Sequence, residues 1–425
     1  SRRSQTAGTK GIAIHLPRLS NGPLERAKTA NMSSFAILTL AAAGHVNPTL
    51  AIVADLVDRG SRVFYFAPTD VRERIEGVGA TWVDRPRPVR SAMSGGQSLG
   101  NDAIRRLPYL MAAAAPRTTP PLAEQLETLG PAVVLCNELD LTARLAARAV
   151  QQRVATFRPF HAVPRRNAAA VPIESDLIEG ASRGIENWAT RYGLGNISLE
   201  DALTGDERLR LMFLPRAFQS GAEGFNDTHL FVGPSIAAPS PVPWPFPPRH
   251  GNQPLHVYIS LGTLRNNRPD FYRLCFDAFS GSEWEVVMSI GQQTDRATLG
   301  PAPENFDVRA FAPQLALLAH TDVFITHGGL NSVMEAIWSG VPIVALPEID
   351  EQRLTARRIQ ELGLGCLLEH EGLSSQCLRS TAHQMASDSL VKSNINAMRS
   401  EARAAGGAAR ASVALLRFSQ TDAWR

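Results

Sequence analysis

Short apolar runs alternate along the chain with amphipathic stretches, the arrangement expected of parallel strands joined by helices. The first run spans residues 35–40 and ends in the small-residue turn 41–44. Asn47 can cap the helix that follows, Pro48 suits its first turn, Leu50, Val53 and Val57 share a face, and Gly60 ends it before the run 62–67. That is one βαβ unit. Further runs at 132–136, 154–157, 211–214 and 230–232 repeat the pattern, so a parallel sheet covered by helices is predicted.

The pattern breaks at residues 237–254, which hold Pro239, Pro241, Pro243, Pro245, Pro247, Pro248 and Pro254. Proline at this density resists helix and sheet interiors alike and predicts a semi-rigid extended linker. The pattern then restarts: a run at 256–261 leads into Gly262 and Thr263, then a helix around 269–279 and a strand at 284–290. The fold class predicted is α/β, with two doubly wound Rossmann-like domains. The boundaries expected are an extension at 1–31, a first domain at 32–236, the linker at 237–254, a second domain at 255–407, and a helix at 408–425 that packs back on the first domain.

Composition changes this picture little. With 425 residues, 44% hydrophobic and 20% charged, the chain has the make-up of a globular protein of two ordinary domains. The formal charge of +3 misleads, because residues 1–31 carry six Lys or Arg against the single acid Glu25 and leave the remainder near −2. A nucleic-acid partner is therefore not indicated. The only apolar stretch of the leader, 11–16, is too short for a signal-peptide core, so residues 1–31 read as a disordered or vector-derived extension, or else a transit-type peptide, with Met32 as the domain start. No run reaches membrane-spanning length. Cys136, Cys275, Cys366 and Cys377 are scattered without metal-ligand spacing, which suits buried thiols in a reducing cytoplasm.

The chemistry concentrates after the run that starts at Phe324. The order there is strand, the glycine turn His327-Gly328-Gly329, a helix with Asn331 and Ser332 as capping residues and Val333, Met334, Ile337 and Trp338 as its buried stripe, Gly340 to end it, and another strand. A helix N-terminus preceded by glycines attracts an anion, because its uncovered N–H groups point outward and the backbone is open to close approach. His327 adds a side-chain donor, and Glu335 lies one turn beyond Asn331, where a carboxylate can accept both hydroxyls of a ribose. Alone, such a turn is equally a well-capped helix beside a buried histidine.

It does not stand alone. Phe311-Ala-Pro-Gln314, His327-Gly-Gly-Leu-Asn-Ser332, Glu335, Pro347 and Glu351-Gln352 follow in order the donor signature of UDP-sugar glycosyltransferases, and the chain most resembles their bacterial macrolide and natural-product branch. Ser260-Leu-Gly-Thr263, Met212-Phe-Leu-Pro-Arg-Ala-Phe218 and Gly44-His-Val-Asn-Pro48 extend the likeness over residues 32–420. The resemblance implies the GT-B architecture, two facing domains, the first binding the acceptor and the second the nucleotide sugar. It makes Phe311, where the family more often has Trp, the ring stacked on uracil. Gln314 would bond the ribose or base, Glu335 the ribose hydroxyls, and Thr263, His327, Asn331 and Ser332 the diphosphate, with Gly328 and Gly329 giving access. Glu351 and Gln352 would read the sugar. No metal or other cofactor is implied beyond the donor substrate, expected to be UDP-glucose.

His45 sits where ligands meet an open α/β sheet, at the C-terminal end of the first strand. The resemblance makes it the general base that deprotonates an acceptor hydroxyl in an inverting displacement. The family supports this histidine with an aspartate, but here the matching position is Asn137, with Asp140 as an alternative partner and Glu138 nearby. Both acids are equally explained as the solvated start of a helix at 141–150. Residues 93–116 and 157–188, with Met93, Leu107, Tyr109, Leu110, Met111, Phe157, Phe160 and Trp188, are the candidate acceptor loops, which suits an apolar acceptor such as a macrolide, polyketide or flavonoid. A UDP-sugar epimerase, a lipid-directed glycosyltransferase and a non-catalytic nucleotide-sugar-binding accessory protein remain open, as does monomer or homodimer.

Overall fold

A computed structural model of the chain describes residues 33–40, 43–85, 101–161, 173–237, 245, 254–263, 265–281 and 283–421. The expected extension at 1–31, nearly all of the linker at 237–254, and Met93 lie outside the described residues.

The first sheet comprises β1 (Ser34–Leu38), β2 (Arg62–Ala67), β3 (Thr81–Asp84), β4 (Val133–Asn137), β5 (Val154–Arg158), β6 (Arg210–Met212) and β7 (His229–Phe231), in the order β3-β2-β1-β4-β5-β6-β7. Every pair is parallel. Its helices are α1 (Ala43–Asp58), α2 (Arg72–Gly77), α3 (Asn101–Leu129), α4 (Leu141–Ala149), α5 (Ser175–Arg191) and α6 (Leu199–Thr204). Phe35, Ala36, Ile37 and Leu38 of β1 are all buried, as a strand covered on both faces requires.

The second sheet comprises β8 (Leu255–Ser260), β9 (Trp284–Ser289), β10 (Phe306–Arg309), β11 (Val323–Thr326), β12 (Ile343–Ala345) and β13 (Gly365–Leu367), in the order β10-β9-β8-β11-β12-β13. Around it lie α7 (Pro269–Phe279), α8 (Gln314–Leu318), α9 (Leu330–Ser339), α10 (Asp350–Glu361), α11 (Ser375–Ser387) and α12 (Ser389–Ala404), followed by α13 (Gly407–Gln420). The latter returns to the first sheet's helices, where Ser412 Oγ donates to Ile52 O of α1 at 3.3 Å. Both sheets are doubly wound, as predicted.

In each sheet the strand order reverses at one point, between β1 and β4 in the first and between β8 and β11 in the second. The crevice at such a reversal is open at the C-terminal strand ends, which is where ligands bind in this architecture. Leu38 of β1 lies beside Cys136 of β4, so the residues after β1 face Asn137. Ser260 of β8 lies beside Thr326 of β11, so Gly262 faces His327.

Several local readings differ from the structure. α1 begins at Ala43, so Asn47 is within the helix and accepts from Arg74 Nη2 at 2.6 Å rather than capping. The expected loop at 93–116 is helical from Asn101, with Pro108, Pro116, Pro120 and Pro121 inside α3. Packing overrides their local cost: Met111, Ala112, Ala115, Leu122, Ala123 and Leu126 are buried, and α5 comes so close that a Cβ on Gly184 would stand 2.2 Å from Ala112 O. Of the candidate acceptor residues, Trp188, Phe157 and Met111 are buried in the core, and Phe157 stacks on Phe213 with centroids 5.5 Å apart. Cys377 is exposed, unlike buried Cys136 and Cys275.

Candidate functional site

A cavity of about 390 Å³ opens at the second reversal point and reaches the first domain through Gly44 and Asn47, which flank His45. Its lining brings together Thr263, Phe311, Gln314, His327, Asn331, Ser332 and Glu335. Gly328, Gly329, Glu351, Gln352, His45, Asn137 and Asp140 are not among the lining residues.

The floor is the turn between β11 and α9. Val333 and Ile337 anchor α9 in the core, each contributing on the order of 2 kcal/mol by burial, and Gly340 ends the helix in the left-handed region. Trp338 is only half-buried and carries Arg403 over its ring, 5.2 Å from the centroid. The N-cap is Gly329, without a side-chain cap, so the first N–H groups of α9 lack a side-chain acceptor. Neither expected capping residue caps. Asn331 Nδ2 donates instead to Gly44 O of the first domain, and Ser332 Oγ accepts from Gln314 Nε2 at 3.2 Å.

His327 is wedged between glycines. A Cβ on Gly262 would lie 2.7 Å from its Cε1, and one on Gly329 would lie 2.4 Å from its Nε2. Burial pulls its pKa down to about 4, so the ring is neutral near pH 7. Gln314 Nε2 also donates to Glu335 Oε2 at 2.8 Å. Burial pushes Glu335 up to about 7, against the lowering effect of that bond. Phe311 is 75% exposed at the cavity wall, in a chain whose other described phenylalanines mostly pack inside.

Glu351 and Gln352 open α10 behind the glycine turn, where Gln352 O would lie 3.3 Å from a Cβ on Gly328. Burial raises Glu351 to about 7. Gln352 Oε1 accepts from Glu348 N at 2.9 Å, so its carbonyl end secures the turn into α10.

In the first domain His45 occupies the first turn of α1. Its Nδ1 lies 2.6 Å from Asn137 Nδ2, and its ring meets Phe160 edge-on with centroids 6.3 Å apart. Burial holds its pKa near 4, with the Asp140 charge opposing. Asp140 is not its hydrogen-bond partner, nor is it solvated: it is fully buried, caps α4 through Ala143 N at 3.2 Å, and pairs with Arg85 Nη2 at 2.6 Å. Glu138 likewise answers Arg158 and Arg210. The sequence reading missed Arg85, which lies far away in the chain with no local signal to connect it. Among the described residues no cluster of His, Cys, Asp and Glu could hold a metal ion, and no helix is long and apolar enough to cross a membrane.

The chain is similar to known proteins in sequence and in fold. Residues 273–412 match the family model described as erythromycin biosynthesis protein CIII-like, C-terminal domain. The demethyllactenocin mycarosyltransferase of Streptomyces fradiae is 33% identical over 96% of this chain and 92% of its own, and the NDP-glycosyltransferase YjiC of Bacillus licheniformis is 32% identical over 88% and 95%. The crystal structure of the calicheamicin glycosyltransferase CalG4 superposes with a TM-score of 0.80 at 27% identity, covering 93% of this chain and all of that one. With one-third identity sustained across nearly the whole of both chains, this chain belongs to the macrolide and natural-product glycosyltransferases of GT-B fold.

Proposed function

We propose that the chain transfers glucose from UDP-glucose to a hydroxyl of an apolar natural product, such as a macrolide, polyketide or flavonoid, with inversion at the anomeric carbon. One observation carries the reading: an exposed aromatic ring, Phe311, stands at the wall of a cavity whose floor is the open N-terminus of α9. A base stacks on the former, and a diphosphate meets the latter. The relatives' names, which include demethyllactenocin and calicheamicin, support a small-molecule acceptor.

In this reading the N–H groups at the start of α9, the ring of His327 and the hydroxyls of Thr263 and Ser332 receive the diphosphate and stabilise the charge that grows as it leaves. Asn331 joins the domains through Gly44 O, and thereby sets the distance from diphosphate to acceptor. Gln314 orients Glu335, whose carboxylate accepts from the ribose hydroxyls. Glu351 and the amide of Gln352 face the sugar from α10. His45 meets the acceptor oxygen from the first domain. Each role uses groups already held in place, so little reorganisation accompanies the displacement.

Two outcomes follow at the donor side. Phe311→Ala is expected to weaken UDP binding by about 1–2 kcal/mol, roughly tenfold, with Phe311→Trp at or above wild type by calorimetry. Binding should also depend on pH. Glu335, raised to about 7, holds a proton in the free protein below that pH, and accepting two hydroxyls requires its loss. Affinity for UDP-glucose, whose diphosphate diester does not titrate in this range, is expected to fall by up to about tenfold per pH unit below 7 and to level off above it. Glu335→Gln should flatten that profile.

The assay that tests the function is UDP release from UDP-glucose with and without phenolic and aliphatic acceptors. Release that depends on the acceptor is expected. Sugar interconversion without acceptor would point to an epimerase, and tight UDP binding with no release under any condition would overturn the enzyme reading.

A further inference from the structure

We propose that Asn137 holds His45 in the tautomer that carries its proton on Nε2, and that the acceptor is accordingly a hydroxyl acidic enough to react as an oxyanion, a phenol or enol, rather than an aliphatic alcohol. The inference rests on the transferase reading above and narrows its acceptor.

The geometry begins with the amide of Asn137, which is fully buried at the end of β4 and committed at both ends. Its Oδ1 accepts from Leu139 N at 2.9 Å, and its Nδ2 lies 2.6 Å from His45 Nδ1. A backbone N–H can only donate, so the Leu139 contact fixes which end of the amide is oxygen. The nitrogen end must then face the histidine. An amide N–H is itself a donor, so Nδ1 accepts and is bare, and the neutral ring keeps its proton on Nε2. Turning the amide over would exchange this for the opposite tautomer but strand the Leu139 N–H beside an NH₂ group.

The ring is neutral because burial pulls it down to about 4. Among the described residues no neighbouring acid is placed to favour the other tautomer. Asp140, on the turn before α4, is engaged by Arg85 and the start of α4, and Glu138 by Arg158 and Arg210. Arg158 in turn lies over Phe160, the ring that closes the other side of His45. A carboxylate at position 137 would act in the opposite sense, accepting a hydrogen bond from Nδ1–H and leaving Nε2 bare to take the acceptor's proton.

With Nε2 protonated, His45 is a hydrogen-bond donor to the attacking oxygen. A donor there favours an oxygen that already carries negative charge. The acceptor gives its proton to solvent. Its oxyanion then forms the bond to the anomeric carbon while the bond from that carbon to the β-phosphate oxygen breaks, the electron pair leaving on the nucleoside diphosphate. His45 ends the step with the proton it began with. An aliphatic alcohol, too weak an acid to ionise near pH 7, would need a base that this tautomer does not provide.

The direct test is long-range ¹H–¹⁵N correlation of the imidazoles in the full-length wild-type protein, with His45 assigned among the ten histidines by its loss in His45→Gln. A protonated Nε2 and bare Nδ1 are expected, reversed in Asn137→Asp. In parallel, kcat/KM is measured across pH with phenols of graded acidity and with an alkyl alcohol. For wild type the rise with pH should follow each phenol's own pKa, with the alcohol slower by about 100-fold or more. Asn137→Asp should speed the alcohol by about 10- to 1,000-fold, within the range such tautomer changes produce, and make the profile independent of the acceptor. A wild-type ring protonated on Nδ1, or alcohols used as readily as phenols with one common pH profile, would overturn the proposal. If neither acceptor class releases UDP, the transferase reading fails and takes the acceptor assignment with it, while the spectrum still decides the tautomer.

Discussion

His45→Ala is expected to bind UDP within about twofold of wild type and to lose transfer by about 100- to 1,000-fold, the range seen when one donor to a developing or attacking oxyanion is removed. The separation follows from the two reversal points. His45 follows β1 in the first domain, whereas the proposed diphosphate floor follows β11 in the second. The contact that joins them runs from Asn331 to the backbone oxygen of Gly44, which alanine at position 45 leaves in place. Calorimetry with UDP and single-turnover rates check the two halves independently. Full turnover in the variant would remove His45 from the reaction, and lost UDP binding would mean that the histidine holds the domains together instead.

Gly262→Ala should do the reverse, lowering UDP-glucose affinity by roughly 30- to 100-fold, or about 2–3 kcal/mol. Gly262 has φ +78°, a region costly for any side chain, and its new Cβ would collide with the His327 ring. The ring has little room to yield, because Gly329 bounds its other face. Gly60→Ala separates strain from collision, since Gly60 has φ +83° but nothing within 4 Å of the added atom. That control should lose a comparable few degrees of melting temperature and keep its affinity. Equal affinities in the two variants would mean that the placement of His327 does not govern donor binding.

What was legible in the sequence follows physical range. Strands of unbroken apolar residues, such as those at β1 and β8, declare themselves because both faces are covered, and their positions differ from expectation by a residue or two. The α3 helix does not, because four prolines argue locally for a loop and only its contact with α5 outweighs them. At the site, Phe311, Gln314, His327 and Glu335 fall on consecutive elements, the loop into α8, α8, the turn after β11, and α9, so a linear motif describes their grouping. Asn331 and Ser332 read as caps from their place in that motif, yet their partners are Gly44 and Gln314, which no local pattern reveals. Asp140 is the plainest case. An acid before a helix reads as solvated, and only the fold delivers Arg85 to neutralise it in the interior.

The pairing of His45 with Asn137 lies between these cases. The alignment of β4 with a family strand puts Asn137 opposite His45, but the consequence for the proton depends on Leu139 N, which settles which end of a buried amide is oxygen. A substitution that conserves shape thus inverts the hydrogen-bonding sense of its partner. Specificity for the acceptor then arises from one proton's location as well as from the shape of a pocket.

The most direct measurement is the anomeric configuration of the product made from UDP-glucose, an α-linked donor, and a simple phenol, read from the proton coupling at the anomeric carbon. Direct displacement from a donor held on the α9 N-terminus yields the β-glucoside, with one equivalent of UDP per product. An α-glucoside, or UDP appearing at a rate indifferent to the phenol with no glycoside formed, would contradict it.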